Sequence, residues 1–407
     1  MKIRRLEELS RAELARLGRE FMLYGHTYDR ALMPQVGMRL GGGKEIEPLS
    51  IWEWKGASPN YTRRMKRLMK IEGDDVTAII KALQLDVGFP HEYMDVHFEL
   101  QPDGSAEFWL NHCGALMDVE KRGEAAVVMM CHRIEDPTFD ATAVATNPRA
   151  QMRPIHRPPR TPKDRQPHCH WTIKIEPNAE PVIEEPLTLE VGRLPLANVP
   201  NERPPDREPG GWHDYAGPFD SGFRLEHLSQ GALVAALREF SLQAHLLASS
   251  AGLYLSQRHP REAVREVLAN QWAGANWVTA ERIAAGFGIA SGGVEAVAQV
   301  LALHPALPVG VAAKIEPAGE RSLRLSLSGP GELLDANAPG WLGLLAAGEP
   351  RPIEAIAQAV EPRARVRAEA PHVFAIEVDP EAEPAAQPQS AALTKLSTVA
   401  AWKFRDF

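Results

Sequence analysis

The second half of this chain repeats the first. "LEELSRAELARLGREF" begins at Leu6 and "LEHLSQGALVAALREF" at Leu225, a gap-free match at an offset of 219. Further matches follow in the same order. "GDDVTAIIKALQL" meets "SGGVEAVAQVLAL", with Val76 over Val294. The hairpin "FELQPDGSAEFWL" meets "KIEPAGERSLRLSL". "GEAAVVMMCHRIEDP" from Gly123 meets "GEPRPIEAIAQAVEP" from Gly348, and "HWTIKIEP" meets "VFAIEVDP". Five ordered matches describe a tandem duplication of roughly 200 residues per unit. A fold for one unit therefore has to serve twice, and the two copies have to share a surface.

Each unit reads as helices followed by strands. In copy one, helices are expected over 5–21, 22–39 and 61–85. A hairpin follows, with "VHFEL" and "AEFWLNH" alternating around the turn "QPDGS". Next come a helix over roughly 117–135 and a Pro-rich irregular stretch, and the strand "HWTIKIEP" closes the unit. Asp136-Pro137 reads as the stop of that last helix. Helices then a meander, without βαβ alternation, predict an α+β fold. We therefore expect two tandem homologous units, each with N-terminal helices and a small antiparallel sheet, packed as a pseudo-dimer. The expected boundaries are 1–180 for the first unit and 181–222 for a Pro/Gly-rich linker. The second unit covers 223–380, and 381–407 is a low-complexity spacer and tail.

The bulk numbers narrow the function. The 407 residues carry a formal net charge of −8, which excludes a general nucleic-acid or membrane-surface binder. No segment has the roughly twenty apolar residues of a membrane span, and the amphipathic N-terminus does not resemble a signal peptide. Three cysteines make no disulfide framework. These features point to a cytoplasmic protein, a monomer or homodimer, whose partner is a small molecule.

The duplication also serves as an internal control: what both copies share is needed for folding, and what one copy has alone is a candidate for function. Copy two replaces Cys131 by Ile356, His132 by Ala357, Glu135 by Val360, His168 by Pro371 and His170 by Val373, and it has no counterpart of Cys113. Cys169 faces His372, so it does not discriminate, and His26 recurs as His245, which marks it as structural. If strand 168–176 pairs antiparallel with 105–113, then Cys113, Cys131/His132 and His168/Cys169/His170 meet at one sheet edge. His168 and His170 share a strand face, and Cys131 and Glu135 share a helix face.

Thiolates with imidazoles suit zinc, or iron. The expected ligands are Cys113, Cys131, His168 and His170, with Glu135 and His132 for proton transfer. Arg157 and Arg160, in "RPIHRPPRTPKDRQP", would fork onto the anionic group of a substrate. A small buried hydrophobe is the plain alternative for each cysteine, and a solvated polyproline segment is the alternative for the arginines.

The stretch "HCGALMDVEKRGEAAVVMMCHRIED", with Cys113, Glu120, Gly123, Cys131 and Glu135 or Asp136, resembles the L-2-amino-thiazoline-4-carboxylic acid hydrolase-like family. It also resembles the 4-vinyl reductase-like sensor domains. The first resemblance implies a hydrolase of a C–N or C–S bond. The expectation is a metal-dependent (zinc or iron) small-molecule hydrolase with its site in copy one only. Two other readings fit the same residues: a non-catalytic module with a closed Cys/His metal site, and a metal-free thiol or redox enzyme using Cys113 and Cys131.

Overall fold

The computed structural model describes residues 3–405. Copy one runs α1 (Arg11–Arg39), α2 (Ile46–Leu68), α3 (Val76–Leu83), β1 (Met94–Leu100), β2 (Ala106–Cys113), α4 (Gly114–Glu120) and α5 (Glu124–Val128). A π-helical turn (Met129–Ile134) leads into α6 (Glu135–Val144), β3 (Ala150–His156), β4 (Cys169–Ile175), α7 (Pro186–Arg193) and α8 (Pro195–Asn198). Copy two runs α9 (Gln230–Ser256), α10 (Arg261–Gly286), α11 (Gly293–Leu303), β5 (Ala312–Gly319), β6 (Ser322–Ser328), α12 (Trp341–Ala346), α13 (Arg351–Val360), β7 (Ala364–Ala370), β8 (Val373–Val378), α14 (Gln389–Thr394) and α15 (Thr398–Ala401).

The fold is α+β, built twice. The two four-stranded antiparallel sheets have the same order, β1-β2-β4-β3 and β5-β6-β8-β7. Equivalent signals start equivalent helices. Ser10 caps α1 and Ser229 caps α9, each accepting a hydrogen bond from the backbone N–H three residues on. No helix among the described residues is long and apolar enough to cross a membrane.

The copies interlock through their long helices, with α1 packed on α10 and α2 on α9. Two buried ion pairs repeat across the junction. Arg64 forks onto Glu239 at 2.6 and 3.0 Å, and Arg282 forks onto Glu20 at 2.7 and 2.9 Å. Arg19–Glu226 and Arg238–Glu7 form a second reciprocal set. A contact in which residue i meets j and j's counterpart meets i's is the signature of a two-fold interface.

Four local expectations change. The first two helices of copy one are a single helix, α1. The helix before the Pro-rich stretch does not stop at Asp136-Pro137; it continues as α6 to Val144. Pro137 lies in the first turn of α6, where a missing N–H costs little. The Pro-rich stretch begins as a true edge strand, β3, which tolerates Pro154 because an edge N–H need not pair. Finally, α7 and α8 lie inside segment 181–222, and α14 and α15 inside 381–407. These are equivalent pairs, each 203 residues apart. Arg64 donates to the carbonyls of Ala197 and Val199, and Arg282 to those of Val399 and Trp402. Each copy thus ends in two short helices that are tied to its own arginine and lie against the other copy's long helix.

The cores differ. In copy two, sheet residues Leu323, Leu325, Phe374 and Ile376 belong to the same continuous core as the long helices. In copy one, the inward residues Phe108, Leu110, Met152, Trp171 and Ile173 form a core of their own.

Candidate functional site

Between copy one's sheet core and its helices lies a cavity of about 140 Å³. Helices α1 and α2 bring His26, Asp29, Arg30 and Trp54 to it. The sheet end brings Cys113, His168 and Cys169, and the π-turn and α6 bring Cys131 and Glu135. The strand pairing behind this convergence is the expected one. Asp95 faces His112, Leu110 faces Cys169, and the His168 N–H donates to the Leu110 carbonyl at 2.7 Å.

At the equivalent junction of copy two, aromatic rings pack against one another. Trp341 opens α12, the counterpart of α4. Trp341 is fully buried and stacks on Trp272 with ring centroids 4.9 Å apart; it also packs against His245 at 4.9 Å. Trp272 and His245 are the counterparts of Trp54 and His26. The indole covers in copy two the pair equivalent to Trp54 and His26.

All three cysteines are buried and free. Cys113 ends β2 and caps α4, its Sγ accepting from the Leu116 N–H at 3.3 Å. Burial, then the nearby Glu135 carboxyl, pushes the Cys113 thiol up to about 12. The same two causes push Cys131 and Cys169 well above the usual thiol range. Glu135 follows the π-turn directly. Burial raises its carboxyl to about 8, assisted by Asp136 and opposed by Arg157 and by its contact with Cys131. Its Oε2 is buried with no hydrogen-bond partner. Copy two has the regular helix α13 where copy one has the π-turn, and π-turns concentrate at functional sites.

Of the sequence candidates, Cys113, Cys131, Glu135 and His168 line the cavity. The His168 Nδ1 accepts from the Cys113 N–H at 3.1 Å, and burial, then Arg160, lowers its pKa to about 4. His170 does not join them. It points to the other sheet face, where its Nε2 lies 2.8 Å from Glu107 and its ring meets Trp109. Period-two alternation holds only inside a strand, and β4 starts at Cys169, so His168 is not bound to the His170 side. His132 turns away to the Pro158 carbonyl, at 2.7 Å. Arg157 pairs with Asp136 and lies over the Trp171 ring, and Arg160 forks onto Glu120 at 2.8 Å through two bonds. Both guanidinium groups are already occupied by carboxylates outside the cavity. Among the described residues, no group of three or more His, Cys, Asp or Glu side chains is placed to hold a metal ion.

The residues missed lie on α1 and before the sheet: Asp29, Arg30 and Asp86. The duplication already distinguished them, as Ala248, Ser249 and His304 stand in their places. Arg30 lies 3.1 Å from Asp29 and 3.2 Å from Asp118. Asp118 is held from the far end of the chain by the Thr398 N–H at 2.7 Å. Asp118, Arg30 and Thr398 correspond to Gly343, Ser249 and Pro195, so copy two has lost this relay as a unit.

No family model matches this chain, and no curated protein or solved structure matches it significantly.

Proposed function

We propose that copy one is a small-molecule enzyme site and that Glu135 moves a proton on a ligand held in its cavity. One observation carries the proposal. The same fold is built twice, and this cavity lies in the copy rich in titratable side chains, whereas in the other copy Trp341 packs over Trp272 and His245. A carboxyl held near 8 gives up and takes back a proton around neutral pH, which general acid–base work requires. The thiols of Cys113, Cys131 and Cys169 stay protonated and act as polarisable wall. The reaction class that fits the resemblance is hydrolysis of a C–N or C–S bond, with Glu135 protonating the leaving group or activating water. A substrate-anchoring role for Arg157 and Arg160 would require both to leave their carboxylates.

A screen of small amide, amidine, thioester and thiazoline substrates tests this reading. We expect turnover by the native chain and a drop of about 10²–10⁴-fold in Glu135→Gln. Undiminished turnover in that variant would remove Glu135 from the mechanism.

A second reading rests on the meeting of all three cysteines at one cavity. A soft ion such as zinc or iron would favour their thiolates, and the side chains would have to close around it. Elemental analysis of the native chain and of Cys131→Ala decides. About one ion per chain, lost in the variant, supports this reading; a metal-free native chain overturns it.

A further inference from the structure

The groups around the cavity carry an excess of acid. Asp29, Asp86 and Glu135 line its interior, and the one interior guanidinium, Arg30, already lies between Asp29 and Asp118. Arg122, the other lining arginine, is exposed at the mouth. Both hydrogen bonds to Asp86, from the Tyr61 hydroxyl at 3.0 Å and the Gly88 N–H at 2.7 Å, fall on Oδ1. Copy two carries Ala248, Ser249, His304 and Val360 in place of Asp29, Arg30, Asp86 and Glu135. The whole charged set is lost together.

A histidine shares the wall with these acids. His26 is 6% exposed and lines the cavity. Its Nε2 lies 3.1 Å from the Gly88 carbonyl, so that nitrogen carries the proton and Nδ1 is an acceptor, with no partner. In copy two the equivalent His245 keeps the same arrangement, its Nε2 3.0 Å from the Ala306 carbonyl and its Nδ1 likewise without a partner, with Trp341 and Trp272 packed over the ring. An unpaired buried acceptor costs free energy until something donates to it. The Asp29 and Asp86 carboxylates accept hydrogen bonds and donate none, and Trp54, Phe89 and Phe139 supply aromatic walls.

Resting on the reading of this cavity as a ligand site, we infer that its ligand carries a cationic nitrogen, an ammonium or amidinium, on a small apolar or aromatic body. The Asp29 and Asp86 carboxylates meet the charge, and the rings contribute cation–π attraction. An anionic ligand would meet the same carboxylates as like charges.

Three probes of one shape separate the possibilities: benzylamine, benzyl alcohol and benzoate, titrated calorimetrically into the whole chain at neutral pH. We expect benzylammonium to bind at least ~10-fold more tightly than benzyl alcohol, with benzoate weakest. In Asp29→Asn the advantage of benzylammonium over benzyl alcohol should shrink several-fold. In Leu116→Trp all binding should be lost. Benzyl alcohol binding that Leu116→Trp abolishes, with no preference for the amine, would overturn the cationic assignment and leave the cavity as a ligand site. Tightest binding by benzoate would overturn the assignment in the same way. If none of the three binds, both the assignment and the ligand site fall.

Discussion

At the scale of single residues, Glu135 makes the sharpest commitment. Its carboxyl is held up to about 8 by burial, whereas in an unfolded chain it ionises in the ordinary carboxylate range. Between those values the folded chain keeps a proton that the unfolded chain releases. The stabilising effect of this group is therefore complete below the ordinary range and is lost as pH rises toward 8. Glu135→Gln has no such proton. Melting curves from pH 5 to 8.5 should show the variant gaining on the native chain as pH rises, with the gain levelling off above about 8. Parallel curves would mean that Glu135 ionises normally. The buried pair Arg64–Glu239 makes a second commitment. Arg64→Ala strands a buried carboxylate, and urea unfolding should show a loss of about 3–5 kcal/mol. The double change Arg64→Met with Glu239→Leu should recover most of that loss.

At the scale of elements, the legible parts of the fold were those with strong local signals. The hairpin turn at Pro102–Gly104, the alternation of β2 and β4 and their antiparallel pairing all follow from period-two patterning. So does the meeting of Cys113, Cys131, His168 and Cys169. Illegible parts depended on tertiary context. The face of His168 depends on where β4 begins, one residue after it. The aim of His132 depends on a π-turn that no local propensity announces. Arg157 and Arg160 looked available because the carboxylates that hold them, Asp136 and Glu120, lie far off in sequence. The strap α15 was hidden within a low-complexity tail, although Pro195 and Thr398 occupy equivalent positions. Thr398→Pro installs the equivalent residue of copy one, Pro195, which has no N–H to give Asp118. It leaves a buried carboxylate oxygen unpaired beside Arg30. Thermal or chemical unfolding should register a loss of about 1–3 kcal/mol, and Thr398→Ser should stay near native. Equal losses in the two variants would mean that the backbone N–H of Thr398 is not what matters.

At the scale of the whole molecule, the duplication divides the labour. Each copy supplies two long helices to a shared two-fold core, and each lays its last two short helices between its own arginine and the other copy's long helix. Copy two packs its sheet, helices and Trp341 into one continuous core, a stable solution for this fold. Copy one leaves a gap between sheet and helices and lines it with buried acids, an unpaired imidazole acceptor and three thiols. Unpaired buried polar groups are costly, and an active site is a reason to keep them. Copy two has lost that set of acids and thiols together.

The most direct measurement is a thermal-shift screen of a small-molecule library against the native chain and Leu116→Trp, a substitution that puts an indole into the cavity wall. The account predicts a folded variant at least as stable as the native chain. It also predicts that compounds which raise the native melting temperature no longer do so in the variant. Compounds that stabilise both chains equally would place the ligand site elsewhere and contradict the account.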